Sequence, residues 1–121
     1  MKELREYITI EESRRSNLRP THKEELKALI EQRIEEQGLN CDLNDIDVSK
    51  VTDMSKLFSY SEFNGDISKW DVSRVKNMIS MFYDSKFTGD ISEWDVSNVK
   101  RMHNMFKDSP LEGKEPSWYR G

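Results

Sequence analysis

One cysteine, three prolines and five glycines are spread over 121 residues. Cys41 alone cannot form an internal disulfide, which excludes a small scaffold held together by disulfide bonds. Aliphatic and aromatic bulk is also scarce: Leu, Ile, Val and Phe supply 27 residues, close to the roughly 20% below which chains stay disordered. Any fold must therefore place its apolar groups in strict order. The longest aliphatic run, Ala28-Leu29-Ile30, is far short of a membrane span. The opening Met-Lys-Glu-Leu-Arg-Glu has no apolar core of a signal peptide, so the cytoplasm is the expected compartment. The alternative is the cell surface, for a chain whose export signal has been removed. Charge of one sign is missing as well. Nineteen basic and 23 acidic residues give −4, spread evenly along the chain. That argues against nucleic acid as a partner, since such binding asks for a concentrated basic face, and no membrane contact is expected.

What the sequence does have is a repeat. Residues 43–66 (LNDIDVSKVTDMSKLFSYSEFNGD), 67–90 (ISKWDVSRVKNMISMFYDSKFTGD) and 91–114 (ISEWDVSNVKRMHNMFKDSPLEGK) follow one another with a 24-residue period and no gap. Trp70, Trp94 and Trp118 keep the same spacing, so residues 115–121 read as the stump of a fourth unit that closes the array. Apolar residues fall at positions 1, 4, 6, 9, 12, 15, 16 and 21 of each unit, as in Ile67, Trp70, Val72, Val75, Met78, Met81, Phe82 and Phe87.

Two periodicities are joined there. Positions 1, 4 and 6 reproduce the opening of a leucine-rich repeat, whose alternating end is a short strand. Positions 9, 12, 15 and 16 have the spacing of one helical face, and Ser49, Ser73 and Ser97 stand where a hydroxyl caps such a helix. The expectation is an α/β fold: a short right-handed leucine-rich-repeat-like solenoid of three strand-helix repeats. Copies must stack, because one unit cannot bury its own apolar edge, and the repeat methionines read as core filling.

Upstream, Thr21 and Glu24 have capping-box spacing, Leu26, Leu29, Ile30 and Ile34 form one apolar stripe, and Gly38 is a stop signal. Residues 20–42 are thus expected to be a capping helix and lead-in that covers the first repeat. Residues 1–19 read as an arm, with Tyr7-Ile8-Thr9-Ile10 as a candidate short strand.

Motifs that carry chemistry are thin. Asp42, Asn44 and Asp45 begin like a calcium loop, but Asp47 stands where an EF-hand needs Gly and Asp53 where it needs Glu. Cys41 has no basic neighbour in sequence, and no phosphate loop or paired-carboxylate motif stands out. No catalytic, cofactor-binding or metal-binding residues are expected, and the chain reads as a non-enzyme. The invariant Asp47, Asp71 and Asp95, each followed two residues later by Ser49, Ser73 or Ser97, read as a ladder of turn hydrogen bonds that sets the register, the alternative being an acidic strip on the concave face that recruits a basic partner or a cation. Function is sought instead in the columns that vary: Ser55, Ile79 and His103 at position 13, Asp45, Lys69 and Glu93 at position 3, and Ser59-Tyr60, Tyr83-Asp84 and Lys107-Asp108 at positions 17 and 18. Tyr60, Ile79, Tyr83, His103, Lys69 and Glu93 are the candidate protein contacts, the tyrosines because ordered aromatics anchor interfaces.

The phrases Phe63-Asn64-Gly65-Asp66-Ile67-Ser68-Lys69-Trp70-Asp71-Val72-Ser73 and Phe87-Thr88-Gly89-Asp90-Ile91-Ser92-Glu93-Trp94-Asp95-Val96-Ser97-Asn98-Val99 resemble the BspA-like leucine-rich repeats of bacterial surface proteins. The resemblance implies an α/β solenoid that binds other macromolecules and carries no catalytic residues. Two functions follow as expectations. One is a protein-binding module, a small intracellular adaptor or inhibitor of another protein; the other is a fragment of a bacterial surface or adhesion protein. Self-association through repeat edges is a further expectation of an open stack.

Overall fold

The computed structural model describes residues 18–121; the readings made for residues 1–17, the short strand among them, lie outside the described residues. Among the described residues there is one helix, α1 (Lys23–Gln37). Its sequence holds no Gly or Pro, and Glu24 and Glu25 in the first turn suit the positive end of the helix dipole. The start differs from the expected capping box. His22 occupies the N-cap without a side-chain cap, and the Thr21 N–H and hydroxyl both donate to Glu25 Oε1, at 3.0 and 2.9 Å. The end is as read: Gly38, at φ 93°, donates its N–H to the Ile34 carbonyl at 2.7 Å.

The repeats form neither strands nor helices, which overturns the α/β strand-helix reading and its leucine-rich-repeat-like architecture. Isolated parallel bridges join Asp42 to Asp66, Asp53 to Asn77 and Asn77 to Arg101, each pair one repeat apart. Between them runs a regular set of bonds from one unit to the next. The N–H groups of Met54, Lys56, Phe58 and Tyr60 donate to the carbonyls of Asn77, Ile79, Met81 and Tyr83 at 2.8–3.0 Å. Met78, Ser80, Phe82 and Asp84 repeat the pattern onto Arg101, His103, Met105 and Lys107. The intervening N–H groups close tight turns within their own unit, as Leu57 to Met54, Ser59 to Lys56 and Ser61 to Phe58.

An α-helix is excluded by the backbone itself. Lys56 and Tyr60, Ser80 and Asp84, and Asn104 and Asp108 all lie in the left-handed region, with φ between 50° and 60°. A left-handed residue at every fourth position unwinds each right-handed turn, so the segment stays flat and turns alternate amides outward to its neighbour. The apolar spacing of positions 9, 12, 15 and 16 suits this succession of turns as well as it suits a helix. Positions 1 to 4 likewise form a turn, with Trp70 N–H on Ile67 O and Trp94 N–H on Ile91 O, both at 3.2 Å.

The core is a set of columns. Phe58, Phe82 and Phe106 stack with ring centroids 5.5 and 5.6 Å apart, and Trp70, Trp94 and Trp118 at 6.5 and 6.3 Å. Each tryptophan donates its Nε1–H to a carbonyl of the preceding unit, Leu43, Ile67 or Ile91, so no buried indole donor is left unpaired. Met54, Met78, Met81, Met102 and Met105 are all buried. Helix α1 buries Leu26 and Ile30 in this same core. It is pinned to the first unit at two places: Arg33 makes a two-pronged bond to Asp45 (2.9 and 3.0 Å), and Lys23 meets Ser55 Oγ at 2.8 Å and Asp53 at 3.6 Å.

The invariant Asp and Ser residues act locally. Asp47, Asp71 and Asp95 accept the N–H of Ser49, Ser73 and Ser97 at 3.0 Å. The Ser49 and Ser73 hydroxyls donate to the same oxygens and therefore do not cap helices. These bonds stay inside one unit. Side-chain registration between units comes from Asn44, which accepts the Lys69 N–H, from Asn64, which accepts both the N–H and the hydroxyl of Thr88, and from Asn98, which donates to the Ser73 carbonyl.

Candidate interaction surface

The turn segments 54–61, 78–85 and 102–109 place positions 13, 14, 17 and 18 at the surface between buried positions 12, 15 and 16. Tyr60 and Tyr83 come together on this surface. Tyr60 N–H donates to Tyr83 O at 2.8 Å, and the two rings meet edge to face with centroids 5.5 Å apart. Tyr60 is 70% exposed and Tyr83 half-buried. The position that Tyr60 fills is left-handed in every unit, and the other two units place Asp84 and Asp108 there.

Ile79 and His103 occupy one column on adjacent units. Ile79 is half-buried and its carbonyl accepts the Lys56 N–H; His103 is exposed and its carbonyl accepts the Ser80 N–H. His103 also lines a cleft of about 200 Å³ with Asn104, Lys107, Glu112, Glu115 and Tyr119. Lys69 and Glu93 are exposed but belong to a different turn of the coil; among the described residues no hydrogen bond or ion pair joins them to the tyrosines. Asp45, in their column, is taken by Arg33, whose hydrogen bonds hold the Asp45 carboxyl below its usual range.

Elsewhere the candidate chemistry is occupied or closed. Asp42 Oδ1 accepts the Asn44 N–H, and Asp45 faces Arg33, so the three residues that began like a calcium loop are spent on a turn and an ion pair. Among the described residues no group of three or more His, Cys, Asp or Glu could hold a metal ion. Burial pushes the Cys41 thiol up, against an opposing pull from Arg33. Asp66 is held down at about 2 by the N–H and hydroxyl of Ser68, with help from Asn44.

The left-handed backbone at Tyr60 is not evident from the helical spacing of positions 9, 12, 15 and 16, which ends two residues before it. A signal was present: one unit has Tyr where its two neighbours have Asp, a residue that tolerates φ > 0 far better. Among the described residues no helix is long and apolar enough to cross a membrane. Comparison with curated proteins yields no match, and comparison with solved structures yields none either. A family model does match, over residues 25–118, and so takes in most of α1, all three units and the closing Trp118. By that match the chain belongs to the family described as "Mycoplasma protein of unknown function, DUF285".

Proposed function

We propose that this chain is a non-catalytic protein-binding module that anchors another protein through Tyr60 and Tyr83. The observation that carries the reading is Tyr60 itself. A bulky residue in the left-handed region costs about 1 kcal/mol or more relative to ordinary backbone. A ring that is 70% exposed recovers little of that through packing. From Tyr over Asp at this position the fold gains one edge-to-face contact with Tyr83, whereas a stiff aromatic with a hydroxyl is a strong interface anchor. Ile79 and His103 extend the same surface, whereas Lys69 and Glu93 lie on a different turn and are not part of it.

The test compares capture of partners from a lysate by the parent, Tyr60→Ala and Tyr83→Ala, with mass spectrometry of the retained proteins. A partner retained in stoichiometric amount by the parent and lost from both variants, with melting temperatures close to the parent's, supports the reading. Equal retention by all three overturns it. A second reading rests on the similarity of the repeat phrase to BspA-like surface proteins: the chain as a piece of a bacterial surface or adhesion protein. Antibody labelling of intact cells separates that reading from an intracellular adaptor.

A further inference from the structure

The net charge of −4 conceals an uneven distribution. Positions 8, 10 and 11 of successive units place Lys50, Arg74, Lys76, Lys100 and Arg101 along one edge of the stack, all exposed. The backbone fixes their order: Lys76 N–H donates to Thr52 O at 2.7 Å, Lys100 N–H to Lys76 O at 2.8 Å, and Arg101 N–H to Lys76 O at 3.4 Å. Arg120 extends the edge by one step, with its guanidinium on the Val99 carbonyl at 3.2 Å. Among the described residues none of these six is in an ion pair. The carboxylate in these columns, Asp53, is engaged by Lys23 and by the Ser55 N–H.

Two features argue that this edge is more than a solvated face. Cations on neighbouring rungs, about 4.8 Å apart, repel one another unless an anion lies between them. Further, the third unit gives up a turn bond to add a cation. Asp53 and Asn77 accept the N–H of Ser55 and Ile79, at 2.9 and 3.0 Å. Arg101 stands at that position next, and a guanidinium has no acceptor to offer the His103 N–H. A local rule broken without a structural return is where function is expected.

We infer that the edge formed by Lys50, Arg74, Lys76, Lys100, Arg101 and Arg120 binds an extended acidic segment of another protein. The edge is narrow. Asp47, Asp71 and Asp95 run beside it at position 5, so a broad negative surface such as a duplex or an anionic membrane meets repulsion on one flank. Positions 8, 10 and 11 hold no aromatic residue in any unit, and single-stranded nucleic acid is held chiefly where bases can stack on aromatic side chains. A single extended polypeptide needs neither width nor stacking. Four rungs span about 14 Å, and same-face side chains of an extended chain recur about every 6.8 Å, so two or three carboxylates can lie along the edge. This surface does not depend on the tyrosine pair.

The experiment titrates a fluorescently labelled short oligo-glutamate peptide with the full chain and follows anisotropy at low and at physiological salt. Binding that weakens as salt rises is expected, with Lys76→Glu plus Lys100→Glu weakening it at least about tenfold at an unchanged melting temperature. Arg101→Asn restores the turn acceptor, so it is expected to raise the melting temperature while weakening the peptide complex about threefold. That pairing keeps the proposal testable even where the double charge reversal fails to fold. Tyr60→Ala is expected to bind the peptide like the parent. No binding at low salt, an undiminished affinity in the folded charge-reversed protein or in Arg101→Asn, or tighter binding to oligo-thymidylate or to phosphatidylserine vesicles would each overturn the assignment.

Discussion

At Tyr60, conformation and exposure pull apart. Replacement by Asn relieves a left-handed backbone that costs about 1–2 kcal/mol in a bulky residue, because Asn enters that region far more readily. The edge-to-face contact with Tyr83 is lost, worth about 0.5–1.5 kcal/mol when well packed. For a ring this exposed the lower figure applies, so the backbone wins. Tyr60→Asn is expected to melt a few degrees higher than the parent while losing its captured partner. A fall of several degrees would show that the ring supports the fold. Asp66 supplies a second prediction at this scale. Its folded value of about 2 lies below the ordinary 3.8, so its contribution is fully present above pH 4 and is lost as pH falls through 4 toward 2. Asp45 and Asp47 are lowered too, by Arg33 and by Ser49 respectively, and act in the same direction. Denaturant midpoints are therefore expected to fall across that window, and less steeply in Asp66→Asn, whose amide oxygen still accepts from Ser68. A midpoint independent of pH between 4 and 2 would refute this.

Among the elements, α1 was legible and the repeat segments were not. The stripe of Leu26, Ile30 and Ile34 ending at Gly38 is the ordinary signature of a surface helix, and the structure has it with only the cap displaced to Thr21 and Glu25. The spacing of Val75, Met78, Met81 and Phe82 gives the same signal, yet those residues belong to overlapping turns. No single unit could reveal the difference. Left-handed residues such as Lys56, Tyr60 and Ser80 are neither Gly nor Asn, and bonds to the next unit hold them in a conformation that their own preferences oppose. The variable columns were legible for a different reason: they can be read by aligning the repeats, whichever backbone carries them. The alignment does not say which columns share a turn, and Lys69 and Glu93 fall on a different one from Tyr60 and Tyr83. Helix α1 buries Leu26 and Ile30 in the same core as Leu43 and its neighbours, and Arg33 and Lys23 tie it to the first unit. Deleting residues 20–38 is therefore expected to expose that layer and produce aggregates in light scattering. A monomeric, folded product would show that the first unit needs no cover.

For the whole molecule, a stack held by nearest-neighbour contacts is only as stable as its ends. The far end is closed by Trp118 and Tyr119, which pack on Trp94 and Phe106; Glu112 Oε1 accepts the Asp108 N–H that would otherwise face a further unit. Among the described residues no acceptor meets the N–H of Asn104 or Phe106, so this end is sealed by side chains more than by backbone. Trp118→Ala removes the last ring of the column and the bond from its Nε1 to Ile91 O, at a cost of about 2 kcal/mol for a half-buried indole. The loss is expected to travel inward by rungs. Amides 78, 80, 82 and 84 are bonded to the third unit, and amides 54, 56, 58 and 60 to the second. Hydrogen exchange in the variant is therefore expected to accelerate first in the former set, with the latter retaining near-parental protection. Uniform acceleration of both sets would mean that the three units and α1 unfold as one cooperative body, with Trp118 contributing to all of it equally.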